Sequence, residues 1–311
     1  MQILVIGGSR FVGPALIKLL LDRKDSVIVL NRGTRSIPGT RQLIADRNDA
    51  DAVETAVASA GTFDAVIDLS CYNASQADIA WRSCATRTKR WIHLSTVAVY
   101  ADLDCVPDET APTGSAPVWG EYGVRKSEAD DFLLSQTGPP LTILRPPYLY
   151  GPGNHIDRET FIWKRALRGR PVLIPGNGEA IVQFLHIEDL ASAFVTVLDH
   201  VADGSRIYNV AGDEQVSLKD YVQRLAAICG ASDTGLPVGA TDAGYDARDY
   251  FPFGGHPCRL QTSLIKDELH WKPHYTFQEG FAQTYATYDP KTLRECPLNL
   301  TVEDKILERL T

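Results

Sequence analysis

No two of the six cysteines stand at a spacing that holds a metal or forms a redox pair. Cys71, Cys84, Cys105, Cys229, Cys258 and Cys296 are scattered, and none has a histidine beside it at ligand spacing. Neither a structural zinc nor a disulfide framework is expected. His93, His155, His256, His270 and His274 likewise show no mutual spacing that suggests a metal site. Positive charge is in deficit: 31 Lys and Arg face 39 Asp and Glu, a net charge of -8. Such a balance argues against broad contact with nucleic acid or an anionic membrane. Long apolar runs are missing as well. The run from Ile3 to Ile6 has no basic segment before it and meets glycine at once, so it reads as neither a signal peptide nor a membrane span. No internal repeat or low-complexity tract occurs. These absences leave a cytoplasmic protein whose partner is a small molecule.

What remains is an ordinary globular composition, 44% hydrophobic and 23% charged over 311 residues, enough for about two domains or one large domain with a lobe. Residues 2–13, QILVIGGSRFVG, set an apolar run against Gly7, Gly8 and Gly13, after which Phe11, Leu16, Leu19 and Leu20 recur at helical intervals. Strand, glycine turn and helix in that order suit a dinucleotide, since glycines admit a pyrophosphate close to the backbone and the helix N-terminus offers amides. The fingerprint is imperfect, because Arg10 stands where the second glycine of G-x-G-x-x-G belongs. Short apolar runs then alternate with helical patterns: 26–30, 42–45, a helix near 49–60, 64–69, a helix near 74–85, 91–94, a helix near 123–134, and 141–144. Strands apolar on both faces and separated by helices predict a parallel sheet buried on both sides. The fold class is therefore α/β: a Rossmann-like, doubly wound parallel sheet over residues 1–150 with returns near 181–200, and a smaller, interleaved C-terminal α/β substrate lobe over 151–311. Residues 231–262, rich in Gly, Asp and Pro, read as a long functional loop.

The chemistry-bearing stretch is Tyr122-Gly-Val-Arg-Lys126 at the start of a helix, where residues four apart share a face. A phenol titrates near pH 10, too high for acid–base work, but an adjacent ammonium favours the phenolate and lowers that value. Upstream, the strand Trp91–Leu94 ends in Ser95-Thr96, which puts a hydroxyl at a strand's carboxyl end, where such sheets bind ligands.

With these motifs in order, and with LSTVAVY at 94–100, LRPPYLYGPG at 144–153, FLHIEDLA at 184–191, YNVAG at 208–212 and HWKP at 270–273, the chain resembles the extended short-chain dehydrogenase/reductase superfamily, specifically its NAD(P)-dependent epimerase/dehydratase group. The resemblance implies that Tyr122 is the general acid/base, that Lys126 lowers its pKa and bonds the nicotinamide ribose, and that Thr96 bonds the reacting oxygen. It implies a cofactor set of Gly7, Gly8, Ser9, Arg10, Phe11, Val12, Asn31, Arg32, Asp46, Arg47, Leu69 and Ser70, together with Tyr122 and Lys126. It also implies a homodimer through the helices near 74–85 and 123–134. The glycine loop, Asp157–Trp163 and Tyr250–Phe253 look like an atypical branch that includes bacterial reductase-like proteins and chloroplast stem-loop RNA-binding proteins.

Departures from the group bear on ligands. Where NAD-preferring relatives carry an acidic residue after the second strand, this chain has Asn31 followed by Arg32, with Arg35 and Arg10 near. That sets NADP ahead of NAD, unless the arginines are solvated loop charges. Tyr148 and Val182 stand where nucleotide-sugar epimerases carry a diphosphate-binding Asn and Arg, so such a substrate needs a replacement charge from Arg158, Arg165, Arg168 or Arg248. Tyr148, Arg158 and Arg248 are the substrate-site candidates. Val97 and Ala98 replace the Asp-Glu pair of sugar 4,6-dehydratases, which disfavours dehydration. His186 and Asp189 are expected to anchor a helix start. The function implied is hydride transfer at a secondary carbinol or ketone of a sugar-like, nucleotide-sugar or natural-product substrate, by an epimerase or reductase. The rival is an RNA- or dinucleotide-binding protein without turnover.

Overall fold

The computed structural model describes residues 1–200, 204–232 and 234–310. These form two compact units: Met1–Pro147 with Ile187–Ala211 and Leu260–His274, and Tyr148–His186 with Gly212–Arg259 and Tyr275–Thr311.

In chain order the first unit contains β1 (Gln2–Ile6), α1 (Val12–Asp22), β2 (Ser26–Asn31), β3 (Arg41–Ile44), α2 (Ala50–Ala58), β4 (Ala65–Asp68), α3 (Ala74–Cys84), β5 (Trp91–Leu94), α4 (Gly120–Ser135) and β6 (Leu141–Arg145). The second contributes β7 (Tyr148–Tyr150), α5 (Glu159–Ala166), β8 (Val172–Pro175) and β9 (Ile181–His186). The chain then returns to the first unit for α6 (Ile187–Asp199) and β10 (Arg206–Asn209). After β11 (Gln215–Ser217), α7 (Leu218–Ile228), β12 (Gly235–Val238) and α8 (Ala240–Ala243) in the second unit, α9 (Ser263–Leu269) returns to the first. Helices α10 (Phe277–Tyr285), α11 (Pro290–Glu295) and α12 (Thr301–Leu310) complete the second unit.

Seven parallel strands in the order β10-β6-β5-β4-β1-β2-β3 make the main sheet of the first unit. This is the doubly wound sheet that the alternating runs predict. Ile3, Leu4 and Val5 of β1 are fully buried, as are Ala65, Val66 and Ile67 of β4, because helices lie on both faces. Asp49 and Asn73 cap α2 and α3 by accepting from the amides of Ala52 and Gln76 at 3.0 and 2.9 Å, which fixes where each helix begins. The strand order reverses between β1 and β4. In such sheets ligands sit at that switch point, outside the carboxyl ends of the strands.

The second unit has a three-stranded sheet, β11-β9-β7, and a parallel pair, β12-β8. Its core is aromatic: Tyr150 stacks on Phe281 with centroids 3.8 Å apart, and Phe184 stacks on Tyr221 at 4.9 Å. Two features differ from the sequence pattern. Residues 231–262 are not one irregular loop, since β12 pairs in parallel with β8 and α8 follows; no apolar run marks β12, because Gly235-Leu-Pro-Val238 carries a proline and leaves Leu236 and Pro237 exposed. The segments returning to the first unit are 187–211 and 260–274 rather than 181–200, and β9 stays in the second unit.

Candidate active site

The glycine turn closes on the switch point. Gly7 and Gly8 adopt φ of +93° and +84°, conformations that side chains resist. The Gly7 amide donates to the Leu30 carbonyl at 2.9 Å and the Leu69 amide to the Ile6 carbonyl at 3.0 Å, which ties β1, β2 and the β4 end together. A Cβ on Gly7 would lie 2.7 Å from Ser70 Oγ. The N-cap of α1 is Phe11, which makes no side-chain cap hydrogen bond. Asn31 clasps two loops: its Nδ2 donates to Ser9 Oγ at 3.0 Å, while its Oδ1 accepts from the Gly33 amide at 2.7 Å. Arg10 and Arg32 are exposed beside them, as is Asp46. The Asn48 amide and side chain hold the Asp46 carboxyl below the usual carboxylate range.

Arg47, expected as a cofactor contact, turns its guanidinium inward, donating to both oxygens of Asp68 at 2.9 Å, to Ser70 Oγ at 2.9 Å and to the Gln76 carbonyl at 3.3 Å. Its charge is therefore answered within the protein, and it walls the site. Burial pushes Asp68 up, but the Arg47 charge and hydrogen bonds outweigh that and leave it below its ordinary value.

Tyr122 lies in the first turn of α4 and is 47% exposed, open to a substrate. The following glycine explains how the helix reaches the sheet edge. A Cβ on Gly123 would fall 2.0 Å from Ser115 Oγ and 2.7 Å from the Ala98 carbonyl, so α4 starts pressed against the turn that follows β5. In that turn Thr96 is 9% exposed, its Oγ1 accepting from the Ala98 amide at 3.3 Å. One helical turn beyond Tyr122, Lys126 is buried, and its Nζ donates to the carbonyls of Cys71 at 2.8 Å and Leu94 at 2.7 Å. Burial pushes the Lys126 pKa down, against the pull of Asp130.

Below Lys126 lies a buried polar network that sequence reasoning missed. The Asp130 Oδ2 accepts from Ser95 Oγ at 2.7 Å and from Arg145 Nε at 3.1 Å. His93 is fully buried on β5, and its Nε2 is 3.5 Å from both Lys126 Nζ and Asp130 Oδ1. One signal was available: Asp130 follows Lys126 by four residues, hence on the same helix face. Asp68, Cys71 and His93 bring three ligand-type atoms within 4.8 Å. That cluster suits a cation poorly, because Arg47 occupies both Asp68 oxygens, Lys126 is adjacent, and burial pushes the Cys71 thiol up to about 11.

In the second unit, Tyr148 is buried, and the Arg158 guanidinium lies over its ring at 5.0 Å and over that of Phe253 at 5.8 Å. Arg248 is exposed. Two other candidate arginines are committed elsewhere. Arg165 pairs with the buried Glu303 and stacks on Phe161, while Arg168 donates to the carbonyls of Lys164, Leu293 and Cys296. Asp189, in the first turn of α6, accepts from the His274 amide at 2.7 Å and so anchors the helix start. Beside Arg158, Glu159 accepts from Asn154 Nδ2 at 3.2 and 3.1 Å, and burial pushes its carboxyl up to about 7. A raised carboxyl pKa gives stability that is full below the ordinary value of 4.5 and lost as pH climbs through about 7. That difference is worth about 3 kcal/mol. Thermal unfolding of Glu159→Gln is expected to lose most of the fall in Tm that the parent shows between pH 5 and 8; equal slopes would refute the assignment.

A family model described as the NAD dependent epimerase/dehydratase family matches residues 3–211. Among curated proteins, the chloroplast stem-loop binding protein of 41 kDa b from Arabidopsis thaliana is 27% identical, the match covering 99% of this chain and 84% of that protein. The dTDP-glucose 4,6-dehydratase 1 of Escherichia coli strain K12 is 26% identical, over 93% of this chain and 92% of the enzyme. Two solved structures share the fold. The UDP-glucose 4-epimerase of Thermotoga maritima with UDP-glucose has a TM-score of 0.79 at 19% identity, covering 94% of this chain and 100% of that one. The UDP-glucose 4-epimerase of Thermus thermophilus in complex with NAD has a TM-score of 0.76 at 19% identity, over 96% and 100%.

Proposed function

The chain belongs to the NAD dependent epimerase/dehydratase family, and from that membership we propose that it is an enzyme that oxidises a secondary carbinol, or reduces the corresponding ketone, on a sugar-like substrate, a nucleotide sugar foremost. The observation that carries the reading is the buried Lys126 ammonium one turn from the exposed Tyr122, both on a helix pressed against the Thr96 turn. Tyr122 takes the hydroxyl proton, Lys126 favours its phenolate, and the Thr96 hydroxyl holds the substrate oxygen. Gly7 to Val12 would hold the cofactor pyrophosphate, and Asp46 its adenine. Bound there, a nicotinamide supplies the hydride acceptor. Both NAD and NADP suit the chain: relatives with solved structures are described with NAD, whereas Asn31, Arg32 and Arg10 favour a 2′-phosphate. Val97 and Ala98, 2% and 1% exposed, offer no acid or base for loss of water, which supports an epimerase or reductase over a dehydratase. The reading includes a cytoplasmic homodimer; among the described residues no helix is long and apolar enough to cross a membrane.

The test is turnover of UDP-glucose and dTDP-glucose with each nicotinamide cofactor, followed by absorbance and product analysis. Tyr122→Phe is expected to lower it by about 1,000-fold, within the range general acid–base groups supply, while cofactor affinity holds. Parent-level turnover in the variant would overturn the assignment. The stem-loop binding relative raises the rival reading; salt-sensitive retention of stem-loop RNA, with no turnover of any sugar, would favour it.

A further inference from the structure

The first unit contains one buried polar group that neither packing nor the proposed chemistry accounts for. His93 stands in β5 between Ile92 and Leu94, is 0% exposed, and pairs in register with strands on both sides. A fully buried strand of this kind normally carries an apolar residue there. Its Nδ1 has no hydrogen-bond partner among the described residues, so the ring is not held for its own saturation. Its other nitrogen, Nε2, faces Lys126 Nζ and Asp130 Oδ1, each at 3.5 Å.

The charges around Lys126 give that side a purpose. Asp68 from β4 is taken by Arg47 from the loop after β3, and Asp130 from α4 by Arg145 from β6 through its Oδ2. Cys71, after β4, offers its carbonyl. Two buried carboxylates thus face the buried Arg145 and Lys126 and the partly buried Arg47, and Lys126 is the cation without a carboxylate of its own. An ammonium has three N–H donors. Two reach carbonyl oxygens at 2.8 and 2.7 Å, and the direction toward His93 is left for the third.

We propose that His93 is a positioning residue for Lys126: its imidazole Nε2 is the third acceptor of the buried ammonium and, in the other tautomer, the donor that engages Asp130 Oδ1. Both partners are 3.5 Å from the same nitrogen, so one ring serves either, but not both at once. Burial and the Lys126 charge, joined by Arg47 and Arg145 against Asp68, hold the ring neutral well below its ordinary pKa, and only a neutral ring can switch in this way. A carboxylate at this position would lock the ammonium in an ion pair. A neutral acceptor keeps it in register with Tyr122 while leaving it able to swing to a ligand hydroxyl. The proposal rests on Lys126 as the partner of Tyr122.

Nitrogen NMR of the 15N-histidine-labelled protein reads the tautomer without substrate or cofactor. The parent is expected to show His93 as the Nδ1–H tautomer, and Lys126→Met to convert it to the Nε2–H tautomer as the ring turns to Asp130. The same tautomer in both proteins would overturn the proposal. Independently, the Lys126 ε-carbon signal of 13C-lysine-labelled protein, assigned by Lys126→Met, is expected to titrate about one unit lower in His93→Phe, the size a lost acceptor imposes. His93→Gln, which retains an acceptor, should restore it. Unchanged titration in a folded His93→Phe would reduce the histidine to packing; if that variant does not fold, the tautomer comparison decides. Because neither measurement involves turnover, a failed Tyr122→Phe test would remove the enzyme reading without altering these results, and the reverse holds too.

Discussion

Gly13→Ala is expected to abolish dinucleotide binding and to unsettle the first βα unit. A Cβ at Gly13 would lie 2.1 Å from the Gly8 carbonyl oxygen and 2.2 Å from the Gly8 carbonyl carbon and Cα. All three are backbone atoms, so no rotamer change relieves the overlap, and the turn must open. Opening it breaks the hydrogen bond from the Gly7 amide to the Leu30 carbonyl and that from the Gly13 amide to the Arg10 carbonyl at 3.0 Å, both of which hold the turn over β1. Overpacking that flexible side chains can absorb costs about 1–3 kcal/mol; a backbone overlap belongs above that range. Thermal denaturation should therefore show a large fall in Tm, and fluorescence titration with NADH and NADPH should show no saturable binding. Parent-like affinity would mean that this turn is not the dinucleotide site.

The same turn shows how far the sequence could be read. The G-x-G-x-x-G template made Arg10 look like a defect. In the structure the demanding positions are Gly7 and Gly8, with φ beyond +80°, and Gly13, with its close approach, while Arg10 has no positive φ and points to solvent. A side chain is tolerated there because nothing packs over it. Six strands of the main sheet were legible because each lies in a short apolar run bounded by turn residues, a local signal, whereas β10, Arg206-Ile-Tyr-Asn209, comes after the chain leaves strict βα order. β12 was not legible, since its pairing with β8 joins residues about 60 apart and leaves Leu236 and Pro237 exposed. The network under Lys126 was hidden for the same reason. His93, Asp130, Arg145 and Asp68 come from four elements, and each by itself reads as a solvated or capping polar residue. Only the fold brings them together, and only burial gives their pairing its energetic weight.

Arg145→Met measures that weight. Arg145 is 1% exposed and Asp130 fully buried; Nη2 and Nε meet Asp130 Oδ2 at 3.0 and 3.1 Å, and the guanidinium also lies over the Tyr100 ring at 5.0 Å. Removing one partner of such a pair leaves an uncompensated charge in the interior, at a cost of about 3–5 kcal/mol. The loss depends on pH in a direction that can be worked out. Burial already pushes the Asp130 carboxyl up, and Arg145 is the main group opposing it. Without the guanidinium the folded-state pKa climbs further above the unfolded value. A group shifted upward contributes stability that is present below its unfolded pKa and lost as pH rises through the folded one. The deficit of Arg145→Met should therefore be small near pH 4 and grow toward pH 8, as read from urea denaturation at several pH values. Adding Asp130→Asn removes the stranded charge and keeps an oxygen for the Ser95 hydroxyl, so the double variant should recover most of the loss at pH 8 and lose the extra pH dependence that Arg145→Met alone introduces. If the two substitutions instead add independently, Arg145 stabilises the protein through its stacking on Tyr100 and its hydrocarbon stem rather than through the buried charge it neutralises.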